Sequence, residues 1–140
     1  MSVGAWVALA AVLLAVAWGG YRALTDGRAK AATTTDLRLT TDRLGAELGT
    51  AATLVQFSAP FCAPCRATRA ILAEVTAGRP ELRHIDLDAA TRLDLIEAFD
   101  ITRTPTVLVL DRHGALRQRI VGAARKGEVL AALNSINAVT

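Results

Sequence analysis

Ala52-Thr53-Leu54-Val55-Gln56-Phe57-Ser58-Ala59-Pro60-Phe61-Cys62-Ala63-Pro64-Cys65 runs from a strand-like segment straight into both of the chain's cysteines, which stand two residues apart. Ala52 to Ser58 is a short, largely apolar run of the kind that forms a central strand buried on both faces, and Gln56 interrupts it. Beyond Cys62, Ile71, Leu72 and Val75 recur at helical spacing while Arg66 and Arg69 fall elsewhere, until Gly78 and Pro80 close the segment. A strand giving way to a helix at a Cys-x-x-Cys pair places the first thiol at a helix N-terminus. Unpaired backbone N–H groups there stabilise a thiolate by up to about 2 kcal/mol, on the order of one pKa unit, and a lowered pKa makes a cysteine reactive near neutral pH.

Working outward, Leu37-Arg38-Leu39 alternates like a short strand, and Thr41 is placed to cap a helix running to Leu48 and ended by Gly49. Leu82 to Leu87 alternates again, with Leu93, Ile96 and Phe99 following at helical spacing and Asp88 placed to cap. Thr106 to Leu110 and Leu116 to Val121 read as two strands of a hairpin turning at Arg112-His113-Gly114, and Gly122 ends the second. Lys126 to Ile136 is a terminal helix with Val129, Leu130 and Leu133 on one face. The order βαβαβαββα calls for an α/β fold, a mixed sheet with helices over both faces.

Ahead of this domain, residues 1–22 carry no charged side chain before Arg22, and Val3 to Trp18 is apolar enough, with its flanks, to cross a hydrocarbon core needing about 20 residues. Its seven Val and Leu side chains contribute roughly −2 to −4 kcal/mol to insertion. Trp18 and Tyr21 suit a membrane interface. A cleaved signal needs a basic n-region, which is missing here although Ala15-Val16-Ala17 offers a cleavage site, so a transmembrane anchor is the preferred reading over a signal or a buried helix. Residues 23–36 are polar, Ala- and Thr-rich and without apolar periodicity, a tether in which a short helix over Arg28 to Ala32 stays open. Residues 37–140 form the globular domain. Arg22, Arg28 and Lys30 all follow the apolar segment, a charge bias that favours a cytoplasmic domain.

With 16 basic and 13 acidic side chains interleaved after Tyr21, the net charge of +3 describes an ordinary solvated surface and gives no ground for a nucleic-acid partner. One local cysteine pair is not a structural disulfide framework, so it leaves the redox compartment open. Zinc would need two further ligands; His84 and His113 are far apart with no His-x₃₋₅-His spacing, and no metal is expected. Haem attachment is excluded by Arg66 after Cys65. Gly122 to Gly127 is a turn, since Glu128 stands where a phosphate loop has its lysine.

Taken with Thr104-Pro105-Thr106 about 40 residues on, the strand end Asp86-Leu87-Asp88 and Gly122 after the hairpin, Ala59 to Cys65 resembles the thioredoxin family over roughly Leu37 to Val139. The resemblance implies a thioredoxin-like three-layer α/β/α sandwich and a thiol-disulfide oxidoreductase that exchanges disulfides with protein substrates, needs no cofactor and relies on an unidentified electron donor or acceptor. A monomer is expected. Cys62 would be the nucleophile and Cys65 the resolving thiol. Pro105 would be the family's cis-proline, turning the backbone so that Thr104 pairs with an incoming polypeptide. Phe61 and Pro64 would form an apolar rim, and Gly122 would keep the facing loop low.

Two departures matter. Gln56 stands where thioredoxins carry a buried aspartate that helps remove the resolving thiol's proton, and His84, where the family often has a lysine, is the nearest substitute for proton transfer. Thr104, before the proline, resembles extracytoplasmic members and opposes the charge-bias topology. The alternative function is a redox-inactive or Cu(I)-handling binding module at the membrane, two soft thiolates being suited to Cu(I).

Overall fold

The computed structural model describes residues 2–25, 30–31 and 37–138, with side chains placed for all of these except 22–25 and 30–31. Most of the tether expected over 23–36 therefore lies outside the described residues. The elements are α1 (Val3–Thr25), β1 (Lys30–Ala31), α2 (Thr41–Leu44), β2 (Ala52–Ser58), α3 (Ala63–Thr76), β3 (Leu82–Asp88), α4 (Leu93–Ala98), β4 (Thr106–Asp111), β5 (Leu116–Val121) and α5 (Lys126–Asn137). The sheet order is β1-β5-β4-β2-β3, with β2 and β3 parallel and the other pairs antiparallel.

β2 is buried at every residue, as its apolar run requires, and alternation divides its side chains between two cores. Ala52 and Leu54 face Leu72 and Val75 of α3 and Val129, Leu133 and Ile136 of α5. Val55 and Phe57 face Leu39, Leu44, Leu95, Phe99 and Ile101 on the other side. The mixed sheet with helices over both faces thus follows from the strand periodicity.

Several boundaries differ from the sequence expectation. Helix α2 stops at Leu44 and not at Leu48, because Gly45 takes a left-handed φ of 68° and its N–H turns back to Thr41 O; the N-cap is Thr40, not Thr41. Leu37 to Leu39 forms only an isolated bridge, Arg38 to Ala115, docked on the hairpin tip. Lys30–Ala31, expected to be unstructured or helical, is a short edge strand on β5. In α4 the inward residues are Leu95 and Phe99, at i and i+4, while Leu93 points to solvent. Asp88 caps a turn by accepting from Ala90 N–H at 2.9 Å, and the α4 N-cap is Arg92.

Helix α1 runs from Val3 through Thr25. Its Val3–Tyr21 span has a mean hydropathy of 2.0 and is exposed along its length, which excludes a buried core helix. It is one apolar helix of the length and composition of a membrane span or a signal sequence.

Candidate active site

The register of the sheet gathers the candidate residues at one end. Phe57 pairs with Thr106 and Thr106 with Val121, so the segments just beyond them, 59–62 after β2, Thr104–Pro105 before β4 and Gly122 after β5, emerge side by side. The Thr104–Pro105 bond is cis. Gly122 N–H donates to Pro105 O at 2.8 Å, and its φ of 89° is one that glycine adopts without strain. Ala124 N–H, in turn, donates to the buried Thr68 Oγ1 at 3.2 Å, fixing this loop to α3 one turn past the cysteines.

Cys62 is the N-cap of α3, and Pro64 sits in the first turn where its missing N–H is no loss. Cys62 Sγ accepts the Cys65 N–H at 3.2 Å, so the first sulfur is held against the positive end of the helix, as the strand-to-helix reading requires. The two cysteines form a disulfide with Cα atoms 5.2 Å apart. They differ in access: Cys62 is half-buried, whereas Cys65 is 1% exposed. Phe61 is fully exposed with a φ of 57°, and Pro64 is exposed beside it, giving the pair an apolar rim. Thr104 is half-buried and Pro105 buried.

Beneath Cys65 lies a polar chain that the sequence reading only partly foresaw. Gln56 falls on the α3 side of β2, with Ala52 and Leu54, by strand alternation. Its Nε2 donates to Cys65 O at 2.8 Å and to Ser58 Oγ at 2.9 Å. Ser58 Oγ donates to Asp86 Oδ1 at 2.6 Å, and Arg69 Nε donates to Asp86 Oδ2 at 2.6 Å. Both amide hydrogens of Gln56 being taken, Oε1 faces His84 Nε2 at 3.2 Å. An amide oxygen only accepts, so His84 Nε2 carries the hydrogen and any further proton must enter at Nδ1. Burial holds the His84 pKa below its ordinary value, with Asp86 opposing and Arg69 reinforcing that shift.

Ser58, Asp86 and Arg69 were not singled out as site residues from the sequence; Asp86 reads there as a strand end and Arg69 as a solvated helix face. The signal that finds them is register. Gln56 pairs with Asp86 in the parallel β2–β3 ladder, and period two puts His84, Asp86, Gln56 and Ser58 on the face that α3 covers. His113, in contrast, is exposed in the hairpin turn away from the cysteines, where Arg112 Nε donates to it at 3.0 Å.

The comparisons agree with this geometry. A family model described as thioredoxin matches residues 38–135. The thioredoxin of Mycolicibacterium smegmatis is 32% identical over 103 residues, covering 71% of this chain and 88% of that protein. Thioredoxin H4-1 of Oryza sativa subsp. japonica is 31% identical over 70 residues, 50% of this chain and 53% of that one. The chain thus spans about half the length of the rice relatives it matches, 53% for this one and 52% for thioredoxin H4-2. Oxidised mitochondrial thioredoxin 3 of Saccharomyces cerevisiae superposes with a TM-score of 0.54 over 61% of this chain and 79% of its own, and at 21% identity that likeness shows the fold. Because the match takes in every element from the Arg38 bridge to α5, and nearly the whole of the mycobacterial protein, the chain belongs to the thioredoxin family.

Proposed function

We propose that this chain is a thiol-disulfide oxidoreductase, tethered to a membrane by α1, that exchanges disulfides with protein substrates through Cys62 and Cys65. The observation that carries the reading is the asymmetric disulfide, one sulfur accessible at the helix N-cap and the other buried behind it, beside a cis-proline. In the reducing direction, the Cys62 thiolate attacks one sulfur of a substrate disulfide and expels the other as a thiolate, leaving a mixed disulfide. Cys65 then loses its proton and attacks Cys62 Sγ. The second substrate sulfur departs, the substrate gains two electrons as a dithiol, and the Cys62–Cys65 disulfide forms. The oxidising direction is the same path reversed, and the redox potentials of the partners set the choice.

The first step uses the helix N-terminus, which favours the anionic sulfur. In the second, the Gln56 amide holds Cys65 O and hence the first turn of α3, but it takes no proton at neutral pH. Support for the tether is the uncharged, exposed α1 span. At 1.5 Å per residue its 19 residues reach roughly 28 Å, close to the hydrocarbon thickness of about 30 Å. The test is reduction of a protein disulfide by dithiothreitol with catalytic amounts of the protein. Wild type accelerates it, Cys62→Ser does not, and Cys65→Ser accumulates a mixed disulfide; catalysis that survives Cys62→Ser overturns the proposal.

A further inference from the structure

Asp86, Ser58 and Gln56 run from the rim of the fold to the backbone of buried Cys65, and the direction of each hydrogen bond along them follows from the one before. Arg69 Nε donates to Asp86 Oδ2 at 2.6 Å and Arg69 Nη2 pairs with the same oxygen, which leaves Oδ1 to Ser58. A carboxylate accepts and does not donate, so the Ser58 hydroxyl gives its one hydrogen to Oδ1, at 2.6 Å. Ser58 Oγ is then an acceptor toward Gln56, and the group that meets it, at 2.9 Å, is the Nε2 amide. The second Nε2 hydrogen goes to Cys65 O at 2.8 Å, and Oε1 is left for His84 Nε2 at 3.2 Å.

Gln56 and Ser58 are buried, so each of these bonds acts in a medium that screens it little. The Gln56 amide has two orientations of the same shape. In the one observed, an N–H lies on the Cys65 carbonyl and offsets the negative potential which that oxygen would place beside a Cys65 thiolate. Turned over, Oε1 would face a second acceptor and add its own negative end there. A neutral amide at position 86, able to donate as well as accept, would no longer force Ser58 to donate outward.

We propose that Asp86 is a positioning residue for the resolving step: its charge, passed through Ser58, holds the Gln56 amide with its N–H end on Cys65 and so favours the Cys65 thiolate that attacks Cys62. The proposal rests on the oxidoreductase reading above. In that step the Cys65 S–H gives its proton to the buffer and the thiolate forms a bond to Cys62 Sγ. The bond from Cys62 to the substrate sulfur breaks, and its electron pair leaves on the substrate. Asp86 acts through Gln56 and not on the sulfurs. His84 reports the orientation, because its Nε2 carries a hydrogen while Oε1 faces it and gives that hydrogen up when the amide turns.

Two readouts test this on the full chain in detergent micelles. The first is the nitrogen NMR spectrum of the histidine rings at pH 7.5, with His84 assigned by its loss in His84→Gln. Wild type should show His84 as the Nε2–H tautomer. Asp86→Asn and Ser58→Ala should bring up the Nδ1–H form, and Asp86→Glu should keep the wild-type pattern. The second readout is the reaction of the reduced protein with a symmetrical nitrobenzoate disulfide, in which Cys62 releases one coloured thiolate and Cys65 the other. The ratio of the second rate constant to the first should fall about three- to tenfold in Asp86→Asn and Ser58→Ala, the range that one buried hydrogen bond spans, and should recover in Asp86→Glu. Wild-type tautomer and ratio in both Asp86→Asn and Ser58→Ala overturn the assignment, and so does either change without the other. A wild type that never releases the second thiolate overturns the oxidoreductase reading itself, while a tautomer change in Asp86→Asn then shows that the orientation by Asp86 stands apart from it.

Discussion

Gln56 is the residue at which this site departs furthest from an acid-assisted one. It is fully buried, and its three hydrogen bonds to Cys65 O, Ser58 Oγ and His84 Nε2 leave none of its polar atoms unsatisfied. The amide orders the first turn of α3, and the negative charge of the network sits farther out, on Asp86, across Ser58. We expect Gln56→Asp to accelerate the resolving step in single-turnover measurements, because a carboxylate accepts the Cys65 proton that an amide does not; an unchanged or slower rate would count against this role for position 56. His84 gives a stability signature. Its folded pKa lies below the unfolded value of about 6.5, so the unfolded chain takes up the proton first as pH falls. The contribution is fully present above that value and is lost as pH drops toward the folded pKa. Urea unfolding from pH 7.5 to pH 5 should show falling stability, and His84→Gln should flatten that slope; equal slopes in the two proteins would show that another group is responsible.

At the scale of elements, α3, β4 and α5 were legible because each carries a sustained apolar period, and β2 because its largely apolar run is broken chiefly at Gln56. α2 and the face of α4 were not. Four or six residues give too few repeats to fix a phase, and α2 is ended by Gly45, whose left-handed φ is local backbone chemistry that an apolar pattern does not encode. The site divides in the same way. The cysteines and cis-proline are motif residues, whereas Ser58, Asp86 and Arg69 come together only through the β2–β3 register and the docking of α3. The β4–β5 hairpin shows how one side chain holds an element. Asp111 Oδ1 accepts the N–H groups of His113 at 2.8 Å and Ala115 at 3.0 Å, and Oδ2 accepts Arg117 Nε at 2.8 Å. Gly114 supplies the positive φ of the tip, where a side chain would fall on Leu39 O. Burial raises the Asp111 pKa, but the Ala115 N–H, the Arg117 guanidinium and the His113 N–H outweigh it and hold the carboxyl below its ordinary value. Its stabilisation is therefore present above about pH 4 and lost as pH falls through the folded pKa. Asp111→Ala should cost about 1–3 kcal/mol in urea unfolding at pH 7, with Asp111→Asn costing less because one oxygen still serves the two N–H groups; a neutral Asp111→Ala would mean that the turn holds without them.

For the whole molecule, with α1 as the tether proposed above, the open variable is the side of the membrane on which the disulfide works, and two features of the chain pull in opposite directions. Arg22, Arg28 and Lys30 after the apolar span favour a cytoplasmic domain by the usual bias of positive charge. Thr104 before the cis-proline resembles extracytoplasmic members of the family. Lys and Arg close to a span set orientation statistically and by small margins, and Asp26 sits among them here, so we take the residue at position 104 as the guide. We predict an extracytoplasmic domain on an uncleaved anchor. Cys65→Ser and Cys62→Ser each leave one thiol, and the former leaves the accessible one. In intact cells a membrane-impermeant maleimide should label the Cys65→Ser variant without detergent, and the labelled chain should migrate at its full mass of 14.7 kDa plus the reagent. Labelling that requires permeabilised membranes places the domain in the cytoplasm, and a labelled product shorter by the apolar span shows that α1 is a signal and that no tether exists.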